Sequence, residues 1–259
     1  MKIPLYQIDA FTGVLFRGNP AAVCPLDEWL SDETLLNIAA ENNLSETAFF
    51  VKEGKEYRLR WFTPEVEVDL CGHATLAAAF VVFNYVNSTL NRIEFETKSG
   101  KLTVTKNGKL LSMDFPSRKP AACSPPQDLI KGLGGSPVEV LKSRDYFVVY
   151  SSEEEIKALK PDMSLLSKLD ALGVIVTAKG NHVDFVSRFF APGAGIPEDP
   201  VTGSAHSSLI PYWAEKLAKN KLHALQVSKR GGELFCEYNG ARVMISGHAV
   251  KYLEGSLEI

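Results

Sequence analysis

Arg60-Trp61-Phe62-Thr63-Pro64 recurs further along the chain as Arg188-Phe189-Phe190-Ala191-Pro192. Gly72-His73-Ala74-Thr75 recurs in the same way as Gly203-Ser204-Ala205-His206. Both pairs are separated by roughly 130 residues, whereas solenoid repeats have periods of about 20 to 50 residues. The spacing therefore predicts two copies of one domain rather than a solenoid array.

The composition is that of an ordinary globular protein. Of the 259 residues, 45% are hydrophobic and 23% are charged, and the net charge is −3. Lysine and arginine are scattered, whereas a nucleic-acid-binding surface needs a concentrated basic face. The apolar run 76–86 is too short to cross a bilayer core of about 30 Å, and the N-terminus lacks the pattern of a signal peptide. We therefore expect a cytoplasmic protein that binds neither nucleic acid nor membranes.

The cysteines and histidines form no metal-binding motif. The four cysteines contain no C-x-x-C pair, and the five histidines contain no H-E-x-x-H pattern. Neither a G-x-G-x-x-G nor a P-loop pattern occurs in the chain. The sequence thus predicts reduced thiols, no metal site and no nucleotide cofactor.

Apolar periodicity predicts an α+β fold in each half. Alternating segments such as residues 3–11 indicate strands, and Ser31 followed by two acidic residues indicates the start of a helix. The helix at 74–84 is apolar almost all round, so we expect it in the middle of its domain. The segment 204–219 is its counterpart in the second half. Each domain is therefore expected to be a mixed β-sheet rolled around one central helix, with the two domains pseudo-symmetric.

The stretch 116–126 is rich in proline, serine and alanine, and we interpret it as a linker. Residues 1–115 then form a first domain, and residues 127–249 form a second. The first domain carries Glu46 and His73. The second carries Asp199 and Ser204.

The candidate catalytic residues are those at which the two copies differ. Two domains can pack with the same residues at matching positions, whereas proton transfer needs groups of different chemistry. Aligning Thr47-Ala48 with Thr177-Ala178 puts Glu46 opposite Val176. Glu46 is either a solvated acid, as most glutamates are, or a partly buried one, since its neighbours are small and apolar. Burial would make its carboxyl group a better carrier of a proton.

The two glycine turns before the central helices are a second candidate feature. Gly72 and Gly203 each lead into a helix whose first backbone N–H groups are free, and these can bind an anion such as a substrate carboxylate. His73 follows Gly72 directly. The positive end of the helix dipole there favours a neutral imidazole that can donate or relay a proton. A purely structural role for His73 remains the alternative.

The loop before Gly203 is three residues longer than its counterpart in the first half. It contains Asp199-Pro200, and the proline keeps the preceding aspartate out of the helical region. The loop is either an ordinary Asp-Pro turn or the place of a second carboxylate. Two acids and a histidine across an interdomain cleft would suit the movement of a proton on a small organic acid.

At these residues the chain resembles the PhzF-like phenazine-biosynthesis isomerase family. The matching segments follow the family's order along the whole chain. They are Asp9-Ala10-Phe11, Gly18-Asn19-Pro20-Ala21-Ala22-Val23, Asn43-Leu44-Ser45-Glu46-Thr47-Ala48-Phe49, Cys71-Gly72-His73-Ala74-Thr75 and Glu198-Asp199-Pro200-Val201-Thr202-Gly203-Ser204-Ala205-His206.

The resemblance implies a diaminopimelate epimerase-like fold, a homodimer and chemistry that needs no cofactor. It also implies that the final strand, about 250–259, returns to the first domain. Glu46 looks like the family's general acid–base, with His73 and Asp199 as supporting catalytic residues. The residues that would bind a small carboxylate substrate are Gly72, Gly203, Ser204, Asn19 and Ser45.

Three functions are compatible with these features. The first is a cofactor-independent isomerase, similar to the phenazine-biosynthesis enzymes, in which Glu46 moves a proton. The second is an amino-acid racemase or epimerase. Distant relatives of the family with that activity, proline racemase and diaminopimelate epimerase, use a pair of catalytic cysteines, one from each half. Here Cys71 occupies the first of those positions, but Thr202 occupies the second. The third is a binding protein without catalytic activity, which is disfavoured by the joint presence of Glu46, His73, Asp199 and Ser204.

Overall fold

The computed structural model describes residues 1–54 and 56–259, which form two compact units. The first unit comprises Met1–Asp114 together with Ser246–Ile259, and the second comprises Phe115–Ile245. The stretch 116–126, interpreted above as a linker, lies in the second unit. None of the helices in the described part of the chain is both long and apolar enough to cross a membrane.

The first part of the chain contains eight strands and two helices. In chain order they are β1 Lys2–Ala10, β2 Asn19–Leu26, α1 Asp32–Asn42, β3 Glu46–Glu53, β4 Glu56–Phe62, β5 Glu67–Val68, α2 Gly72–Val81, which continues as a π-helical turn over Val82–Val86, β6 Arg92–Thr97, β7 Gly100–Asn107 and β8 Leu110–Pro116.

The remaining elements follow in chain order. They are β9 Ala121–Ala122, α3 Gln127–Leu133, β10 Glu139–Lys142, β11 Tyr146–Val149, α4 Glu153–Ala158, α5 Met163–Leu166, β12 Val174–Lys179, β13 Phe185–Ala191, a short 3₁₀ turn Pro192–Ala194, β14 Ile196–Asp199, α6 Gly203–Leu217, β15 Lys221–Gln226, β16 Gly232–Asn239, β17 Arg242–Gly247 and β18 Ala249–Glu258.

Helix α1 begins where the sequence predicts. The hydroxyl of Ser31 accepts a hydrogen bond from the backbone N–H of Thr34, and acidic residues occupy the first turn, near the positive end of the helix dipole. Asn43 ends the helix in the left-handed conformation, with φ 48°. The next strand, β3, starts three residues later.

In the first unit, α2 is the central element. Nine of its ten residues are buried, so the sheet surrounds it on all sides. It packs against β1, β2 and β3. Strand β3 runs parallel to β2 and antiparallel to β4, while β4 runs parallel to β6. The final strand, β18, returns to the first unit and pairs antiparallel with β1.

The second unit repeats this order of elements. Strand β12 runs parallel to β11 and antiparallel to β13, while β13 runs parallel to β15. Helix α6 is its longest helix, and 11 of its 15 residues are buried. Each unit is therefore a mixed sheet wrapped around one buried helix, as the sequence predicts.

Candidate active site

Glu46 is the first residue of β3, beside Ala21 of β2. The apolar residues that follow it bury the start of the strand, and Glu46 itself is only 9% exposed. Of the two interpretations of this residue, the structure supports the buried one. A carboxyl group this far from water needs a partner, because its charged form has lost most of its hydration.

That partner is His73, the second residue of α2. Its ring is 4% exposed, and its Nε2 lies 3.1 Å from Oε2 of Glu46. Their relative orientation is poor for a hydrogen bond, and within the described residues neither atom has another hydrogen-bond partner. The contact is therefore a close ion pair whose two atoms keep unused hydrogen-bonding capacity.

The other nitrogen of the same ring faces Cys71. Its Sγ lies 3.4 Å from Nδ1 of His73. Burial raises the pKa of the Cys71 thiol, and the negative charge of Glu46 raises it further. The thiol is thus held in its protonated form, which agrees with an unreactive side chain rather than a nucleophile.

The charge of His73 differs from the sequence-based prediction. Burial alone lowers the pKa of this imidazole, but the sulfur of Cys71 and the carboxylate of Glu46 outweigh burial and raise the pKa well above 6.5. The prediction of a neutral imidazole was wrong because it considered the helix dipole alone. A carboxylate at 3.1 Å acts more strongly than the partial charge of a helix end.

Potential metal ligands on Glu46, Cys71 and His73 lie within 4.8 Å of one another. Cys71 contacts Nδ1 and Glu46 contacts Nε2, so the two groups meet different nitrogens of the imidazole. One ligand atom from each residue is nevertheless close enough to the others to meet a single ion, a grouping that the sequence motifs did not reveal.

In the second unit, Asp199 belongs to a buried polar network before α6. The hydroxyl of Thr202 donates to Oδ2 of Asp199 over 2.5 Å. The side chain of Gln226 donates to the backbone carbonyl of Asp199 and accepts from the backbone N–H of Thr202, each over 2.8 Å. These bonds fix both the loop and the carboxylate, which is 8% exposed.

Ser204, the second residue of α6, corresponds to His73 in the repeat. Nη2 of Arg144 donates to its hydroxyl oxygen over 3.1 Å. The same guanidinium donates to the buried carboxylate of Asp145 over 2.9 Å. The sequence does not single out Arg144, Asp145 or Gln226, because none of them stands in a recognisable motif.

Neither central helix has a side-chain N-cap. Cys71 precedes α2 and Thr202 precedes α6, and neither side chain bonds to the first backbone N–H groups. Side chains one turn later bond to the N-cap carbonyls instead, from Thr75 over 2.5 Å and from His206 over 2.9 Å. The two glycine turns thus keep the donor groups on which an anion site would depend.

His206 is fully buried, and its charge state follows from its contacts. A carbonyl oxygen only accepts, so Nδ1 of His206 carries the hydrogen that bonds to Thr202. Burial lowers the pKa of this imidazole to about 4. Near neutral pH the imidazole of His73 is therefore charged, whereas that of His206 is neutral.

Asn19 and Ser45 both lie in the first unit. Asn19 is fully buried at the start of β2, opposite Ala10. Ser45 is half-buried and directly precedes Glu46. The structure thus joins Glu46 and His73 directly, while Asp199, Gly203 and Ser204 belong to the second unit. The cleft expected between the two sets stays a prediction.

The register of the strands corrects the alignment of the two copies. Arg60 lies opposite Phe49, whereas its counterpart Arg188 lies opposite Val176. Glu46, three residues before Phe49, therefore corresponds to Gly173 rather than to Val176. A Cβ atom at Gly173 would lie 2.3 Å from Cζ of Phe189. The second unit has no room for a side chain where the first unit carries its buried acid.

Comparisons with known proteins agree with this architecture. The family model described as phenazine biosynthesis-like protein (PhzC-PhzF) matches residues 8–255. The chain is 52% identical to an uncharacterized isomerase of Pseudomonas aeruginosa, over the full length of both chains. It is 50% identical to a PhzF-family phenazine biosynthesis protein of Enterococcus faecalis, whose crystal structure superposes with a TM-score of 0.98 and full coverage of both chains.

A more distant similarity concerns the fold alone. A hydroxyproline epimerase of Agrobacterium vitis, solved with trans-4-hydroxy-L-proline, is 10% identical and superposes with a TM-score of 0.62. The match covers 99% of this chain and 92% of the epimerase. Together, the comparisons confirm both the expected fold class and the family resemblance.

Proposed function

The chain belongs to the phenazine biosynthesis-like (PhzC-PhzF) family of isomerases, and we propose that it moves a proton on a small carboxylate-bearing substrate without a cofactor. Glu46 is the general acid–base in this proposal. The observation that carries it is the 3.1 Å contact between the buried carboxylate of Glu46 and Nε2 of His73. General acid–base catalysis of this kind is worth about 10²- to 10⁴-fold in rate.

His73 stabilises the carboxylate form of Glu46 in this proposal. Because the pKa of His73 is raised well above 6.5, the imidazole carries a proton next to the carboxylate at neutral pH. Glu46 accepts a proton from the activated carbon of the substrate, while the adjacent imidazolium stabilises the carboxylate form. Glu46 then delivers the proton to another carbon of the substrate, which gives the isomerised product.

The substrate carboxylate is assigned to the backbone donors at the glycine turns. Gly72 and Gly203 begin helices that lack side-chain N-caps, so their first N–H groups are free to meet an anion. Asp199 and Ser204 hold the substrate in this proposal, and Asn19 and Ser45 complete its polar surroundings. We further propose that the protein is a cytoplasmic homodimer.

A two-thiol racemase is less well supported. Cys71 has a thiol with a raised pKa, and its counterpart in the second unit is Thr202. Neither position thus supplies the thiolate that such chemistry uses. Absence of solvent deuterium at Cα across a panel of amino acids would remove this alternative.

The test is incorporation of deuterium from D₂O into a panel of small unsaturated, cyclic and amino-acid carboxylates, read by mass spectrometry. We expect at least one carboxylate to exchange with the wild-type protein, and Glu46→Gln to abolish this exchange while the protein stays folded. The matched control is Glu53→Gln, at the exposed end of the same strand. Undiminished exchange by Glu46→Gln would contradict the proposal.

A further inference from the structure

The turn between β10 and β11 is fastened to the first turns of α6. The hydroxyls of Ser143 and Ser208 lie 3.0 Å apart, and Arg144 donates to Ser204 over 3.1 Å. Ser204 and Ser208 are one helical turn apart, so both contacts fall on the same face of α6. This places a guanidinium at the start of the helix.

Asp145 fixes the orientation of that guanidinium. The carboxylate is 3% exposed, and both Nε and Nη2 of Arg144 donate to its Oδ2, over 3.2 Å and 2.9 Å. A planar fork held at two nitrogens has little freedom to turn. Arg144 is itself one-third exposed, so the pair has one buried end and one end that reaches the surface.

The direction of the hydrogen bond to Ser204 decides what its hydroxyl can do. A guanidinium only donates, so the oxygen of Ser204 must accept from Arg144. The hydroxyl hydrogen of Ser204 is then left to donate elsewhere. Among residues 1–54 and 56–259, no hydrogen bond takes up that hydrogen, and Ser204 is a partly exposed residue at an otherwise buried helix start.

We infer that Arg144 is a positioning residue that sets the Ser204 hydroxyl as a donor to an anionic group of the substrate. Three features act together: the buried Asp145, the oriented guanidinium and the hydroxyl at the start of α6. The substrate class is a small molecule with a carboxylate, which accepts from Ser204 next to the positive charge of Arg144. The inference rests on the proposed function only for its choice of ligand, since the contacts lie within the second unit.

The experiment measures binding rather than turnover. Acetate, benzoate, anthranilate and proline are titrated into the protein by calorimetry, each beside its neutral amide. We expect at least one carboxylate to bind the wild-type protein more tightly than its amide does. Ser204→Ala and Arg144→Gln should each weaken binding of that carboxylate about tenfold, with little further loss in the double variant.

Two further variants separate positioning from folding. Arg144→Gln leaves the buried Asp145 carboxylate without its partner, so Arg144→Gln/Asp145→Asn keeps the pair neutral. This double variant should fold, and it should still bind the carboxylate weakly. Lys142→Gln is the matched control, because this cation pairs with Asp170 and should leave the affinity unchanged.

The inference is overturned if no carboxylate is preferred over its amide, or if the neutral double variant binds as tightly as the wild type. Additive losses from Ser204→Ala and Arg144→Gln would also overturn it, since they would show that Arg144 does not act through Ser204. Failure of the proposed function would look different. Glu46→Gln would then keep deuterium exchange, while the binding results in the second unit stayed as expected.

Discussion

Nε2 of His73 lies 3.1 Å from Oε2 of Glu46, and both side chains are nearly excluded from water. One residue comes from the first position of a strand and the other from the first turn of the central helix. The two elements are separated in sequence by two strands and their connections. The pair therefore depends on the packing of α2 against β3. A small displacement of either element should change the rate of proton transfer.

Shortening the carboxylate tests that geometry. Glu46→Asp keeps the charge but withdraws it by one methylene group, so the contact with His73 opens. A displacement of about 1 Å at a reacting group can cost about 10²-fold in rate, and we expect a loss of that order. The measurement is the rate of deuterium exchange on the carboxylate found for the wild type. A variant as fast as the wild type would show that the position of Glu46 is unimportant.

The His73–Glu46 pair should make stability depend on alkaline pH. The folded-state pKa of His73 is raised above 6.5, so folding takes up a proton. Its contribution to the free energy of unfolding is fully present below about pH 6.5 and is lost as the pH rises through the folded-state pKa. Urea unfolding between pH 6 and pH 10 would show this fall. Glu46→Gln removes the carboxylate and should flatten the curve.

His206 predicts the opposite dependence at acidic pH. Its folded-state pKa is lowered to about 4, so the unfolded chain binds a proton that the folded protein excludes. Stability is intact above about pH 6.5 and falls as the pH drops towards 4, by about 3 kcal/mol in total. His206→Asn, with an amide that can donate to the same carbonyl, should lose this slope. The exposed His182→Asn is the control and should retain it.

Gly173 should tolerate no side chain. A Cβ atom there would lie 2.3 Å from the ring of Phe189 and 2.9 Å from the carbonyl oxygen of Phe190. We expect Gly173→Ala to lower the free energy of unfolding by about 1 to 3 kcal/mol. Gly13→Ala is the control, because no atom lies within 4 Å of the added carbon. Equal stability of the two variants would show that the Phe189 ring moves aside freely.

Cys71 should react slowly with alkylating reagents. It is 6% exposed, and burial and the charge of Glu46 raise the pKa of its thiol. The half-buried Cys123 is the internal reference. Peptide mass spectrometry after brief exposure to iodoacetamide at pH 8 should find Cys123 modified well before Cys71, with the difference abolished in urea. Faster modification of Cys71 would contradict the unreactive assignment.

The sequence predicts the helices and strands of this fold better than it predicts the contacts of their side chains. The capped start of α1 and the buried character of α2 follow from local composition, and both are found in the structure. The charge of His73 does not follow from local composition, because it depends on Glu46 from another strand. Arg144 and Asp145 were missed for the same reason. They stand in an unremarkable turn, and their role comes from contact with a helix some 60 residues later.

The sequence alignment of the two copies gave Glu46 the wrong counterpart. Thr47-Ala48 and Thr177-Ala178 look alike, but such dipeptides are too common to fix a strand register. The arginines of β4 and β13 are the better anchors, because each is held by an ion pair to a neighbouring strand, Arg60 to Glu67 and Arg188 to Glu198. Anchored there, the counterpart of the buried acid is a glycine, which the sequence comparison did not reveal.

The pairing of β18 with β1 bears on how the protein is made. β1 is synthesised long before β18, because the whole of the second unit lies between them in the sequence. Until then β1 has β2 on one side and an open edge on the other, which is a site for unwanted strand addition. The second unit, by contrast, is encoded as one uninterrupted stretch, Phe115–Ile245. The first unit can therefore be completed only after the second has been synthesised, and the unit that carries Glu46 is the one in need of protection on the nascent chain.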